Sequence, residues 1–318
     1  KRTTLGLALS PSLFDDHLKI NLNVKGLFIQ NHFADQGAIG SAMQYDPTQP
    51  VSADSLNYYD SETEQPIYFA NPYGGYFAWI QPYNQNPVGQ GSSNPVALLN
   101  MRDDNSNVQR LIGNLQLDYK LHFFPDLRLN LNLGLDDSWS KGTVEVPVYA
   151  PWEYDAVTGG GLSTAYDQNK KNEILEFYAN YVKEVEPINS SFNVMAGYSW
   201  QHFYRDGSNL STNVDSTVIN DSSSYATESY LLSYYGRLIY GFKNRYLATF
   251  TVRNDNTSRF SPDNRAGWFP SVALAWKIND EPWMAGVENL SQLKLRLGWD
   301  HRAAKYRGRL SLPGQVYV

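Results

Sequence analysis

The chain has 318 residues, enough for one large domain or two ordinary ones, with 26 Lys+Arg against 32 Asp+Glu and a formal charge of −6. Such a balance offers no basic surface for phosphates and argues against nucleic-acid binding. Aromatic residues make up 14% (Tyr alone 23 copies) and Cys is absent, which excludes disorder, disulfides, thiolate metal sites and Cys nucleophiles.

The opening residues Lys1–Thr4 have no apolar core region of a signal peptide, and no run approaches 18 apolar residues. A membrane β-barrel passes that second test, because its strands are only half apolar. The mean hydropathy of −0.47 is uninformative for the same reason.

In chain order, period-two alternation comes first at Leu18, Ile20, Leu22 and Val24, set against Lys19, Asn21, Asn23 and Lys25, after a turn at Asp15-Asp16. The second hairpin places Leu115, Leu117, Tyr119, Leu121 and Phe123 on one face. Its partner carries Leu127, Leu129, Leu131 and Leu133, beyond a turn at Phe124-Pro125-Asp126. Strands near 174–186 and 191–204 flank Pro187-Ile188-Asn189, and those near 228–241 and 246–256 flank Phe242–Arg245. A last pair, near 268–278 and 292–299, flanks a short helix expected at 280–284. The total is about ten strands in five hairpins, each near the roughly 9–11 residues that cross a bilayer at a tilt.

Connections inside hairpins are short, whereas those between hairpins run 34–106, 141–173, 207–227 and 257–267. In an up-and-down sheet alternate connections lie at opposite ends, so long loops gather at one end and turns at the other, as in outer-membrane barrels. The polar face carries Lys19, Lys25, Lys120, Arg128 and Arg296, too many charges for hydrocarbon, and is expected to line a wet lumen. The apolar face ends in Tyr198, Trp200, Tyr246, Trp276 and Trp299, aromatics suited to membrane interfaces. The expected fold class is therefore all-β, an antiparallel up-and-down transmembrane β-barrel segment of about ten strands of a larger barrel, with long extracellular loops. The alternative left open is a soluble, secreted all-β domain that binds or cleaves glycans.

Several strings, in this order and spacing, carry a family resemblance. They are Phe14-Asp15-Asp16-His17-Leu18-Lys19, Gly37-Ala38-Ile39-Gly40 with Asp46–Val51, and Asn94-Pro95-Val96-Ala97-Leu98-Leu99. Further on come Arg253-Asn254-Asp255 through Phe260, Gly267–Ser271 with Ala275-Trp276, and Leu293–Gly298. Together they resemble the barrel of SusC/RagA-type TonB-dependent outer-membrane transporters, over residues 2–299 and about a third of a full-length member. The resemblance implies import of oligosaccharides or peptides across the outer membrane, a SusD-like surface lipoprotein as partner, and energy from the TonB complex. It also implies a plug and TonB-contacting segments outside this chain, and neither enzymatic activity nor a cofactor. After Trp299 the family pattern stops. Back-translating 300–318 and reading from the second base of each codon gives I-T-A-Q-Q-N-I-G-V-A-Y-P-Y-L-A-K-F-T, which is family-like. Residues 1–299 are thus expected to be partial barrel and 300–318 an out-of-frame tail.

The candidate substrate-binding residues are Tyr73, Tyr76, Phe77, Trp79 and Tyr83, set among Gly, Asn, Gln and Pro. Flat rings beside amides suit sugar C–H stacking and hydroxyl hydrogen bonds, or else the packing of a long loop on itself. Glycines 159–161 lack the following helix and Lys of a phosphate loop. Asp103-Asp104-Asn105 and Asp255-Asn256 lack EF-hand spacing, and the five histidines form no metal motif. No metal site and no catalytic constellation is expected.

Overall fold

The computed structural model describes residues 1–60, 62–284, 286 and 290–301. From residue 302 onward the expected tail lies outside the described residues. Strands β1 (Arg2–Leu9), β2 (Ser12–Leu13) and β3 (Leu18–Phe33) are followed by helix α1 (Gly37–Gln44), a hairpin of β4 (Ser55–Asp60) and β5 (Gln65–Ala70), and helix α2 (Pro95–Met101). Next come β6 (Asp103–Lys120), β7 (Leu127–Val146), β8 (Leu162–Val185), β9 (Ser190–Thr212) and β10 (Ile219–Phe242). The last strands are β11 (Tyr246–Thr257), β12 (Ala266–Lys277) and β13 (Lys294–Asp300).

All but β4 and β5 form one 11-stranded sheet in the order β1-β3-β6-β7-β8-β9-β10-β11-β12-β13, with β2 appended to β3. Every neighbouring pair is antiparallel, the up-and-down meander expected from the sequence. The turns match the strand twist: Lys243 and Asn244 both have left-handed φ, as in the primed turns that close tight hairpins. The short helix expected at 280–284 is two 3-10 turns, Ile278–Asp280 and Pro282–Met284.

Strands β3 and β6 to β10 are much longer than the 9–11 residues read from the sequence, from 16 residues in β3 to 24 in β8 and β10. Their turn ends fall where expected, and the excess lies at the opposite end. The connections there shrink to 34–102, 147–161, 213–218 and 258–265. The physical reason is that backbone pairing continues above the apolar band, where both faces are wet and hydrophobic alternation no longer marks a strand. The hairpin β4–β5 and both helices, inside the 34–102 connection, also escaped the periodicity reading.

Register sorts the side chains as the sequence suggested. Leu22, Leu115, Leu133, Leu175, Trp200, Leu232 and Asn256 run across the sheet as one row of cross-strand neighbours on one face. Burial is inverted relative to a soluble protein. On the polar face Asn130 and Ser199 are 2% exposed and Ser233 is 0%, whereas on the apolar face Leu7, Phe177 and Leu274 are 54%, 43% and 49% exposed. A soluble sandwich buries such a band, so this one is made for a non-aqueous solvent. Glycines confirm which face is concave. On the apolar face a Cβ at Gly26 or Gly113 would meet open space, whereas on the polar face Tyr235 lies across Gly197 and Tyr166 across Gly142.

Aromatic pairs border the apolar band at both ends. Phe192–Tyr240, Phe242–Tyr246 and Tyr246–Trp276 stand at the turn end, and Tyr198–Tyr234, Trp200–Tyr230 and His202–Tyr230 at the other. At the turn end Glu281 accepts hydrogen bonds from Tyr246 Oη, from Trp276 Nε1 at 2.9 Å and from Arg245 Nη1 at 3.3 Å. These donors, Tyr246 first, hold its carboxyl below the usual range.

Candidate functional site

The 34–102 connection is a folded cap on the long end of the sheet, and its assembly begins at Asn94. The Asn94 side chain accepts from the Val96 and Ala97 amides at 3.1 and 3.3 Å, capping α2 ahead of Pro95 at its first position. Its Nδ2 donates to the Val51 carbonyl at 2.6 Å and the Phe77 carbonyl at 3.4 Å. One buried amide thus fastens three segments that lie far apart in sequence. From α2, Ala97 and Met101 pack on Val146 and Ala150, with Tyr76, Trp152 and Leu162 around them, which fixes the cap to the ends of β7 and β8.

Beside this contact lies a cavity of about 640 Å³, bordered by Tyr76, Asn100, Asp103, Glu145, Tyr149 and Ser163. Tyr76 Oη accepts from Asn100 Nδ2 at 2.8 Å. Gly74 has φ +65°, and a Cβ there would stand 2.6 Å from Met101 Cε and 2.9 Å from the Tyr149 ring, so both backbone and packing demand glycine. Glycines 159–161 serve the neighbouring 147–161 connection in the same way. All three have positive φ, and Gly161 donates to the Glu153 carbonyl at 2.8 Å, closing a tight turn against Val146. Burial pushes the Glu153 carboxyl up, opposed by Arg102, whereas amides of Val157 and Thr158 hold Asp155 low.

The five aromatics singled out in the sequence are dispersed through the cap. Tyr73 is 3% exposed in a cluster with Leu56 and Ala78, donates to the Gln85 carbonyl at 2.8 Å and meets Tyr154 edge-on at 5.8 Å. Burial, with Tyr154 beside it, pushes its phenol up to about 12. Phe77 packs against the same cluster and edge-on to Trp79 at 5.2 Å. Trp79 is partly exposed, Tyr83 is 81% exposed, and only Tyr76 borders the cavity. Tyr149, Asn100, Glu145 and Asp103 complete the cavity, and sequence reasoning missed all four as a binding set. Their one signal was Tyr149 in a Pro- and aromatic-rich stretch, Val146 to Tyr154, which resembles the stretch holding Tyr73 to Tyr83.

Below the cap the concave face is a ladder of polar side chains. Asn114 Nδ2 donates to Asn132 Oδ1 at 2.7 Å, Asn132 Nδ2 to Glu176 Oε2 at 3.2 Å, and Ser199 Oγ to Glu176 Oε1 at 3.4 Å. Further round, Arg253 bonds Asp255 at 2.6 Å and Ser233 at 3.0 Å. A wall of amides, hydroxyls and paired charges beneath an aromatic-lined rim is suited to guiding a hydrated polar solute.

The family model for TonB dependent receptor-like β-barrels matches residues 29–302. The TonB-dependent receptor SusC of Bacteroides thetaiotaomicron is 38% identical over 312 residues, 94% of this chain and 30% of that protein. TonB-dependent receptor P3 of Formosa agariphila is 28% identical over 230 residues, 68% of this chain and 22% of that protein. Among solved structures, the RagAB peptide importer in its open-open state superimposes with a TM-score of 0.68 at 17% identity, covering 99% of this chain and 35% of that one. Its closed-closed state gives 0.67 at 18%, covering 94% and 32%. At that identity the likeness is one of fold. The chain spans about a third or less of the length of the relatives it matches.

Proposed function

The chain belongs to the TonB dependent receptor-like β-barrel family, and from that premise we propose that it forms part of the barrel wall and outer rim of an outer-membrane importer of oligosaccharides or peptides. The observation that carries this reading is the inverted burial: apolar residues exposed in a band edged by aromatics, polar residues buried on the concave face. Relatives named as a TonB-dependent receptor and as a peptide importer support it. In this reading the cap and the 147–161 connection face a SusD-like surface lipoprotein, TonB supplies the energy, and Tyr76, Trp79 and Tyr83 meet substrate, with Tyr73 and Phe77 supporting them from below.

The test is uptake. Cells deleted for the gene encoding this chain should lose import of a labelled oligosaccharide or peptide that the parent strain takes up, and complementation should restore it. The Tyr76→Ala, Trp79→Ala double variant should weaken binding at least tenfold, about 1.4 kcal/mol. Recovery of the protein in the soluble fraction, or unchanged uptake of every substrate in the deletion strain, overturns the reading. We further infer that residues 300–318 are read out of frame. Resequencing should find one extra G at the Trp299 codon, and an unaltered frame rejects the inference.

A further inference from the structure

We propose that the concave wall formed by β8, β9 and β10 carries an anion-binding site, centred on Lys170, Arg205 and Arg259, that takes the carboxylate or sulfate groups of an acidic oligosaccharide. Lys170 and Arg205 are direct register partners on β8 and β9, and Arg205 is in turn opposite Thr227 of β10. Arg259, just past β11, reaches the same place through Nη2, which lies 3.5 Å from Ser229 Oγ. The three border a depression of about 540 Å³ together with Phe203, Thr227 and Ser229, within the size range of small-ligand pockets.

Like charges placed directly opposite across two strands repel, and here no carboxylate offsets them. Among the described residues, none of the three cations has a carboxylate partner. The acids level with them stand on the other face: Asp167 bonds Ser208, Asp206 bonds Asn169, and Glu173 and Glu228 both hold His202. On the same face, Asp221 is bonded by Asn209, and Glu176 by Asn132 and Ser199. Glu228 also borders the depression, yet its side chain is committed to His202 and Tyr230. In a chain of net charge −6, Lys171 on the convex face is paired with Glu173, whereas the three cations on the concave side are left as a positive patch.

The patch is also oriented. Arg205 Nε donates to Tyr225 Oη at 3.2 Å, and its guanidinium lies 5.2 Å from the centre of the Tyr225 ring. Gln168 Nε2 donates to the same hydroxyl at 2.6 Å, fixing the ring. That leaves the two Nη groups of Arg205 for a planar oxyanion, the geometry in which arginine binds carboxylates with two parallel hydrogen bonds. Phe203 supplies an exposed ring for the apolar face of a sugar. The site's place on a solute path rests on the importer reading, but its anion chemistry does not.

The test titrates the intact receptor in detergent with trigalacturonate, neutral maltotriose and tri-aspartate, at low and high salt. Trigalacturonate should bind at least tenfold more tightly than either of the others and weaken as salt rises. Arg205→Gln and Lys170→Gln should each remove that preference, while Arg205→Lys keeps part of it and circular dichroism stays unchanged. Equal binding of the charged and neutral trisaccharides, or a preference untouched by the variants, overturns the site. Tri-aspartate binding as tightly as trigalacturonate overturns the saccharide assignment. Uptake separates the two readings: a wild-type receptor that shows no preference while uptake is intact rejects only the anion site, and a wild-type preference with no uptake rejects only the importer.

Discussion

Tyr73 shows how one side chain can look like a binding residue and serve as a cornerstone. Its sequence setting, among Gly and Asn beside other aromatics, is that of a sugar-stacking ring. The fold turns it inward, where its hydroxyl satisfies the Gln85 carbonyl and its ring fills the cluster around Leu56. Because the folded cap holds this phenol up to about 12, against an ordinary value near 10, the neutral form is the one folding favours. The resulting stability is complete below about pH 10 and is lost as pH climbs toward 12. Fluorescence of the neighbouring Trp79 should therefore report loosening of the cap across that interval. In Tyr73→Phe this phase should vanish, with the cap destabilised by about 1 kcal/mol at neutral pH through the unpaired Gln85 carbonyl. An identical alkaline profile in both proteins refutes the assignment.

At the level of strands, what the sequence made legible was the solvent boundary rather than the element. Alternation in Leu115–Tyr119 and Leu127–Leu133 is strong because one face meets lipid and the other water, and it marked the turn ends of β6 to β11 closely. Above that level β8 runs on through Asn169 and Lys170, and β9 through Arg205 and Asp206, with paired backbones but polar side chains on both faces. Nothing in a single sequence separates such a stretch from a loop. The band itself gives a sharp prediction. Leu131 sits between Leu117 and Phe177 in register, at mid-band, so Leu131→Arg should cost about 2–4 kcal/mol of folding free energy in bilayers. Its concave-side neighbour gives the contrast: Asn132→Arg should cost well under half as much, measured by reversible denaturant unfolding in lipid vesicles. Equal costs would mean that the two faces are assigned wrongly.

For the molecule as a whole, the meander was readable because each hairpin is local, while the cap was not, because its contacts are remote. Asn94 reaches residues 51 and 77, Met101 meets Ala150, and Tyr149 closes over Gly74. No periodicity encodes such meetings, which is also why the cavity and the Lys170–Arg205 pairing became visible only in three dimensions. The extended strands have an outcome of a different kind. A 24-residue strand is about 80 Å long at roughly 3.3 Å per residue. Tilted by about 40° it rises about 60 Å, well over twice the roughly 25 Å height of the apolar band. On a cell that displays it, much of what antibodies and bacteriophages touch would be hydrogen-bonded wall rather than mobile loop. Variation at that surface would then have to proceed by side-chain exchange at fixed register, since an inserted residue would shift every pairing beyond it.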